Sequence, residues 1–377
     1  MNSFAIFRLP HADSCQFIEG ESVVIPSLAE IDQQQGFLLA PFKPSDKEPI
    51  VLIKGEARMI STLNPQQTSL NSHLSTLNSH KSYSDTFSIF HQALLNGQFQ
   101  KIVLARCATE AHDGSITPMA LFHQACQLYP RMFVALVSTP QSGTWLTASP
   151  EILLEHLPDD RWRTIALAGT MRLRSDKADN EGQHLRWSAK NIQEQRHVSS
   201  YIANVLRRFS DDVHEEGPRT IRAAHLVHLR SDFTFTINKE CTRVGELLQA
   251  LHPTPAVCGL PKEEAQRFII ANERTPRHYY SGFMGPFNLP QQTSLNSHLS
   301  TLNSHQTSLN SQPSTLNQTT LNSHLYVSLR CMNITDSACH LYAGGGLLRE
   351  SVEQQEWLET EAKMETMRRL LEMQSKE

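Results

Sequence analysis

Residues 131–168, RMFVALVSTPQSGTWLTASPEILLEHLPDDRWRTIALA, decide the fold class. Four apolar runs, at 131–138, 144–148, 151–157 and 161–168, are separated only by breakers such as Pro140, Gly143, Pro150, Pro158 and Asp159. Upstream, 101–107 reads as a strand and 117–129 as a helix, and Ser84 or Asp85 caps a helix that Gly97 stops. Residues 4–60 read as short strands and turns. Downstream, helices are expected at 186–209, 242–251, 261–273 and 352–373, with extended pieces at 225–237 and a hairpin over 325–343 that ends in Gly344, Gly345 and Gly346. Helices and strands do not alternate regularly. The class is therefore α+β, antiparallel sheets covered by helices.

Composition excludes several functions. Lys and Arg number 34 against 38 Asp and Glu, a formal charge of −4, which suits no general nucleic-acid binder, since phosphate contacts need surplus clustered cations. No window of 18 apolar residues points to a membrane span, and MNSFAIFRLPHADS has no signal-peptide pattern. Seven scattered cysteines without a CxxC pair read as reduced thiols of a cytoplasmic protein. The segment 65–80, PQQTSLNSHLSTLNSH, recurs letter for letter at 290–305. Such Gln/Thr/Ser/Asn tracts cannot bury enough apolar area to offset their ordering entropy, so 62–81 and 289–324 read as disordered inserts. Their histidines (73, 80, 298, 305, 324) have no metal-ligand spacing.

Two helices carry carboxylates on the wrong face. At about 100° per residue, Glu194 falls inside the stripe formed by Val198, Tyr201, Ile202, Val205 and Phe209. A carboxylate facing a core must be paired, hydrogen-bonded or metal-bound. Lys190, four residues earlier, could be its partner. In the last helix Glu356, Glu359 and Lys363 form one ridge beside the stripe of Trp357, Met364, Met367 and Leu371. A solvated salt-bridge ladder is one reading of that ridge. Two helices each bringing glutamate inward is also the pattern of a hard-cation site, and Mg²⁺ accepts a few carboxylates while leaving room for an anionic ligand. The three glycines before the helix could present backbone N–H groups to an anion, or be a flexible turn. Arg330, in the apolar strand YVSLRCM, needs a partner, structural or a ligand carboxylate.

Taken together, KIVLAR (101–106), ASPEILL (148–154), IALAGTMR (165–172), AKNIQEQRHV (189–198), HLVHL (225–229), LHPTPAVCGLPKEEA (251–265), YYSGFMG (279–285), LYVSLRCMNI (325–334), LYAGGGLL (341–348) and EWLETEAKMETM (356–367) resemble the chorismate-utilising enzymes and, within them, the isochorismate synthases. The resemblance implies one α+β unit of two large, mainly antiparallel sheets with flanking helices. Residues 1–82 would be a strand-rich layer of that unit and 83–377 the chorismate-binding region. It implies a cytoplasmic, Mg²⁺-dependent isomerase acting on chorismate, monomeric or weakly dimeric, that feeds menaquinone or siderophore synthesis. By position, Lys101 matches the general base and Glu151 the general acid. Glu194 and Glu359 match the principal metal ligands, with Glu356 an outer one. Gly169 and Thr170 match the wall beside the ring. Thr254, Tyr280, Arg330, Gly344, Gly346 and Lys363 match groups that hold the substrate's carboxylates and ring. Gln195 stands where relatives often carry His.

Lys101, together with Ala168 where an amine-transferring type carries a nucleophilic lysine, favours water as the nucleophile. Salicylate synthase, which shares this first step and then eliminates pyruvate, stays open beside it. Outside the family stands a non-catalytic interaction protein acting through the polar repeats. A phosphotransferase lacks its GxxxxGK[ST] loop.

Overall fold

β-Branched and apolar residues make Lys101–Ala111 a long strand, and it orders what surrounds it. It pairs with Ala338–Leu347 over the full length of that strand, from Leu347 opposite Ile102 to Ala338 opposite Ala111. Cys331–Ile334, Gly143–Ser149, Phe133–Thr139 and Ser3–Arg8 continue this leaf to the strand Ser14–Ile25. The latter is 12 residues long, and its second half crosses into another leaf by pairing with Ile50–Lys54. There Gly36–Ala40, Phe283–Phe287, His324–Val327, Ile152–His156, Trp162–Arg172, Leu226–Phe235 and His214–Ala223 follow in turn. Hydrogen bonding is continuous through 18 strands, so the two expected antiparallel sheets are joined by one long strand. The strands of residues 3–61 are built into both leaves. The computed structural model describes residues 3–61, 76–77, 80–114, 116–172, 186–224, 226–238, 243–290 and 321–374.

Six α-helices occur among the described residues: α1 (His80–Leu95), α2 (Pro118–Leu128), α3 (Ala189–Leu206), α4 (Val244–Leu251), α5 (Lys262–Asn272) and α6 (Glu353–Gln374). The core lies in layers. Phe7, Phe37, Phe133, Trp145 and Tyr326 pack between the leaves. α2 and α6 cover the outer face of the first leaf, and α3 and α4 that of the second. α1 and α5 close the edge beside Lys101–Ala111. None of these helices is long and apolar enough to cross a membrane.

Four expectations change. Thr76–Leu77 forms a short strand on Thr109 and Glu110, and α1 begins at His80, so the C-terminal part of the 62–81 tract is ordered by a sheet edge that composition cannot reveal. In the second tract Leu289–Pro290 pairs with Leu321–Asn322, and His324 opens a strand. The remainder, 62–75, 78–79 and 291–320, lies outside the described residues. Gly344, Gly345 and Gly346 are not a turn before α6 but part of Ala338–Leu347, opposite Ala105, Leu104 and Val103. His214–Ala223 is a further strand, polar along most of its length because it lies at an edge, paired to Leu226–Phe235.

Candidate active site

The site lies where Lys101–Ala111, the end of Trp162–Arg172, α3 and α6 meet. α3 is started by Ser188, whose side chain accepts from the N–H of Asn191 at 3.2 Å. Val198, Ile202, Val205 and Leu206 are buried on its inner face. At about 1.5–3 kcal/mol per buried side chain, they anchor the helix strongly enough to carry a buried Glu194 with them. Gln195 fixes its rotation: its Oε1 accepts from Ala168 N at 2.9 Å and its Nε2 donates to Ala166 O at 3.1 Å. The bulge between Ala168 and Thr170 sets Gly169 at φ +68°, a conformation that glycine adopts without cost.

Lys101 is completely buried at the start of its strand. Its Nζ stands 3.2 Å from Glu194 Oε1 and donates to Pro255 O at 2.7 Å. Burial lowers its pKa, and the neighbouring Glu194 only partly opposes this. Gly346 explains the glycine run: a Cβ there would lie 2.0 Å from Glu194 Oε1 and 2.9 Å from Lys101 Cε. At Gly344 a Cβ would lie 2.8 Å from the Tyr280 hydroxyl. These glycines open space for side chains to converge, whereas the sequence pointed to anion-binding N–H groups.

Glu151 faces the same cleft. It is 2 % exposed, and burial pushes its carboxyl up to about 7, against the lowering influence of Lys101 and Arg330. Among the described residues neither its Oε1 nor the Thr254 hydroxyl, both buried, has a hydrogen-bond partner within ordinary distance, although the Thr254 hydroxyl also lowers the carboxyl's pKa. Arg330 sits between two strands at φ +46°, backbone strain of the order of 1–3 kcal/mol that the surrounding sheet must hold. Its Nη2 donates to His228 Nε2 at 2.9 Å. A guanidinium cannot accept, so His228 carries its proton on Nδ1, which donates to Gly169 O at 3.1 Å. Among the described residues Arg330 forms no ion pair, leaving a buried cation available to an anionic ligand.

The carboxylate ridge lies on α6 opposite α3. Glu359 Oε1 accepts from Lys363 Nζ at 2.7 Å, and the same ammonium donates to Gly344 O at 2.7 Å. Against burial, Lys363 and Lys190 bring the Glu359 carboxyl below its ordinary range. Lys190 pairs not with Glu194 on its own helix but with Glu356 Oε1 across the gap. Burial and repulsion by Glu359 push Glu356 up to about 7, and among the described residues its buried Oε2 has no hydrogen-bond partner within ordinary distance. All donors here are hard oxygens, and one buried oxygen lacks a partner, which suits Mg²⁺ chemically. Among the described residues, no group of three His, Cys, Asp or Glu side chains is close enough to hold an ion, and each of these glutamates carries a lysine instead.

A cleft open to solvent joins these parts. Of the expected residues, Glu151, Gly169, Thr170, Glu194, Tyr280, Arg330, Gly344, Gly346 and Lys363 line it, while Lys101, Thr254, Glu356 and Glu359 stand outside that lining. His228 also lines it and was not among the expected site residues. No periodicity could have singled it out, because its partners lie 59 and 102 residues away in the chain.

The family of chorismate binding enzymes matches residues 12–296 and 313–372. The chain belongs to that family. Isochorismate synthase MenF of Escherichia coli K12 is 28 % identical over 288 residues, 75 % of this chain and 58 % of MenF. The salicylate biosynthesis isochorismate synthase of Pseudomonas aeruginosa PAO1 is 30 % identical over 285 residues, 73 % of this chain and 51 % of that protein. The chain thus spans between half and three fifths of the length of these two curated relatives. The solved structure of MenF, the menaquinone-specific isochorismate synthase from Escherichia coli, superposes with a TM-score of 0.76 at 22 % identity, covering 98 % of this chain and 89 % of that one. That likeness establishes the chorismate-binding fold.

Proposed function

We propose that the protein converts chorismate to isochorismate, as a Mg²⁺-dependent isomerase. One observation carries this reading: Glu151, a buried carboxyl raised to about 7, lines the cleft, and Lys101, a buried lysine with a lowered pKa, stands behind that lining beside Glu194, which is part of it. An amine that is neutral part of the time takes a proton, and a carboxyl that stays protonated gives one. The reaction needs both at once. Lys101 removes a proton from water as its oxygen bonds to ring C2. The ring double bonds shift, the C4–oxygen bond breaks, and Glu151 protonates the departing hydroxyl as water. Product and substrate are isomers, and no co-reactant is consumed.

Arg330, held by His228, is placed for one substrate carboxylate, and Lys363 and Tyr280 line the same cleft. Glu194, Glu356 and Glu359 are the residues that would hold Mg²⁺, which when bound offsets carboxylate charge and fixes the ring. All of these groups belong to one chain, so the chemistry requires no second subunit. Six described cysteines are free, in keeping with work in a reducing cytoplasm, with isochorismate passed to quinone or siderophore synthesis.

The test is incubation of the purified protein with chorismate and MgCl₂, with products separated by chromatography. Isochorismate as the product supports the reading. Salicylate would show that pyruvate is eliminated as well, and an absence of turnover would contradict the proposal.

A further inference from the structure

The three glutamates of the site are matched by three ammoniums, and these are not equally held. Lys101 and Lys363 are each tethered by a second bond to a backbone carbonyl, Pro255 O and Gly344 O, both at 2.7 Å. Among the described residues Lys190 Nζ makes no hydrogen bond except to Glu356 Oε1. The two side chains of this pair also differ in access: Lys190 is 20 % exposed and Glu356 1 %. A partly exposed lysine on a flexible four-carbon stem can swing into water, whereas the buried carboxylate cannot follow. Lys190 feels Glu356, Glu359 and Glu194 together, and their combined pull raises its pKa despite burial. Were its task to neutralise its own helix, it would pair with Glu194 one turn on. That carboxylate is taken by Lys101.

We infer that Lys190 is a displaceable counter-cation, neutralising the Glu356–Glu359 ridge in the metal-free protein and yielding its place when a divalent cation binds. Its departure frees Glu356 Oε1 beside Oε2, which already lacks a partner. The lysine keeps two crowded carboxylates folded inward without metal and sets how tightly metal is held. The inference rests on the Mg²⁺ reading of the site.

Lys190→Met and Lys190→Arg test it. MgCl₂ is titrated calorimetrically into EDTA-treated protein without substrate, and melting temperatures are measured with and without MgCl₂. Lys190→Met should bind Mg²⁺ at least tenfold more tightly than the unaltered protein and melt lower when metal-free. MgCl₂ should recover most of the difference, and Lys190→Arg should stay near the unaltered protein in both readouts. Equal or weaker Mg²⁺ binding by Lys190→Met overturns the role of Lys190 and leaves the metal reading standing. No Mg²⁺ binding by any of the three overturns both. If Lys190→Met does not fold without metal, folding induced by MgCl₂ but not by NaCl of equal ionic strength supports the inference, and failure of both overturns it.

Discussion

Glu151 and Glu356 are both buried carboxyls raised to about 7, and they reach that value by different routes. Around Glu151 burial alone raises the pKa, and nearby Lys101, Arg330 and Lys363 all work to lower it. Around Glu356 burial is joined by Glu359, one turn along the helix, and Lys190 opposes them. The first is an acid whose pKa burial raises in spite of three nearby cations. The second is a base kept under charge pressure, which an added cation relieves. On the proposed reading, two carboxyls raised to about the same value would take different tasks, one in proton transfer and the other toward metal.

The largest effect expected is at Glu151. Glu151→Gln and Lys101→Ala should each lower turnover by roughly 10²–10⁴-fold while chorismate still binds, read from steady-state kinetics and a binding titration. Near-normal turnover in either variant removes that residue from proton transfer and breaks the comparison. Chelation comes next: EDTA should abolish turnover and MgCl₂ restore it, and unchanged rates after complete metal removal would leave the ridge as a structural ion-pair ladder. Glu356→Gln should act more gently than Glu151→Gln, raising the Mg²⁺ concentration needed for half-maximal rate while preserving most of the saturated rate. An equal loss from both substitutions would erase the distinction.

Gly346→Ala sharpens the same division from the geometric side. Its Cβ would stand 2.0 Å from Glu194 Oε1, so Glu194 must move. Metal dependence should worsen while Glu151 keeps its titration. The smallest effect is on stability. The folded pKa of Glu151, about 7, lies above the ordinary 4.5, so the folded state retains this proton longer than the unfolded state. Stability from this group is therefore present below about 4.5 and lost as pH rises through about 7. Glu151→Gln removes that loss: its melting temperature should match the unaltered protein near pH 4 and exceed it at pH 8.

What the sequence revealed follows from the range over which each signal acts. Glu194 within an apolar stripe was legible because helical periodicity is local, and so were the spans of five of the six helices to within a few residues; α1 starts at His80, ahead of the Ser84 or Asp85 expected to cap it. The four-strand run at 131–168 was legible because its breakers are local too. The partner of Lys190 was not. Sequence spacing offered Glu194 four residues on, and the structure supplies Glu356, 166 residues away. The glycines at 344–346 looked like a turn because the side chains that crowd them come from other elements: Tyr280, Glu194 and Lys101. His214–Ala223 was invisible because an edge strand with both faces polar has no alternation to read. The roles of Lys101 and Glu151 entered through family resemblance, since a strand-end lysine and a glutamate after Ser-Pro look ordinary until their burial is known.

The division of labour between the two carboxyls is tested most directly by the pH dependence of kcat/KM for chorismate at saturating Mg²⁺, in the unaltered protein and in Glu151→Gln. The profile of the unaltered protein should contain an ionisation near 7, belonging to Glu151, and the residual activity of the variant should lack it. The same ionisation persisting unchanged in Glu151→Gln would contradict the account.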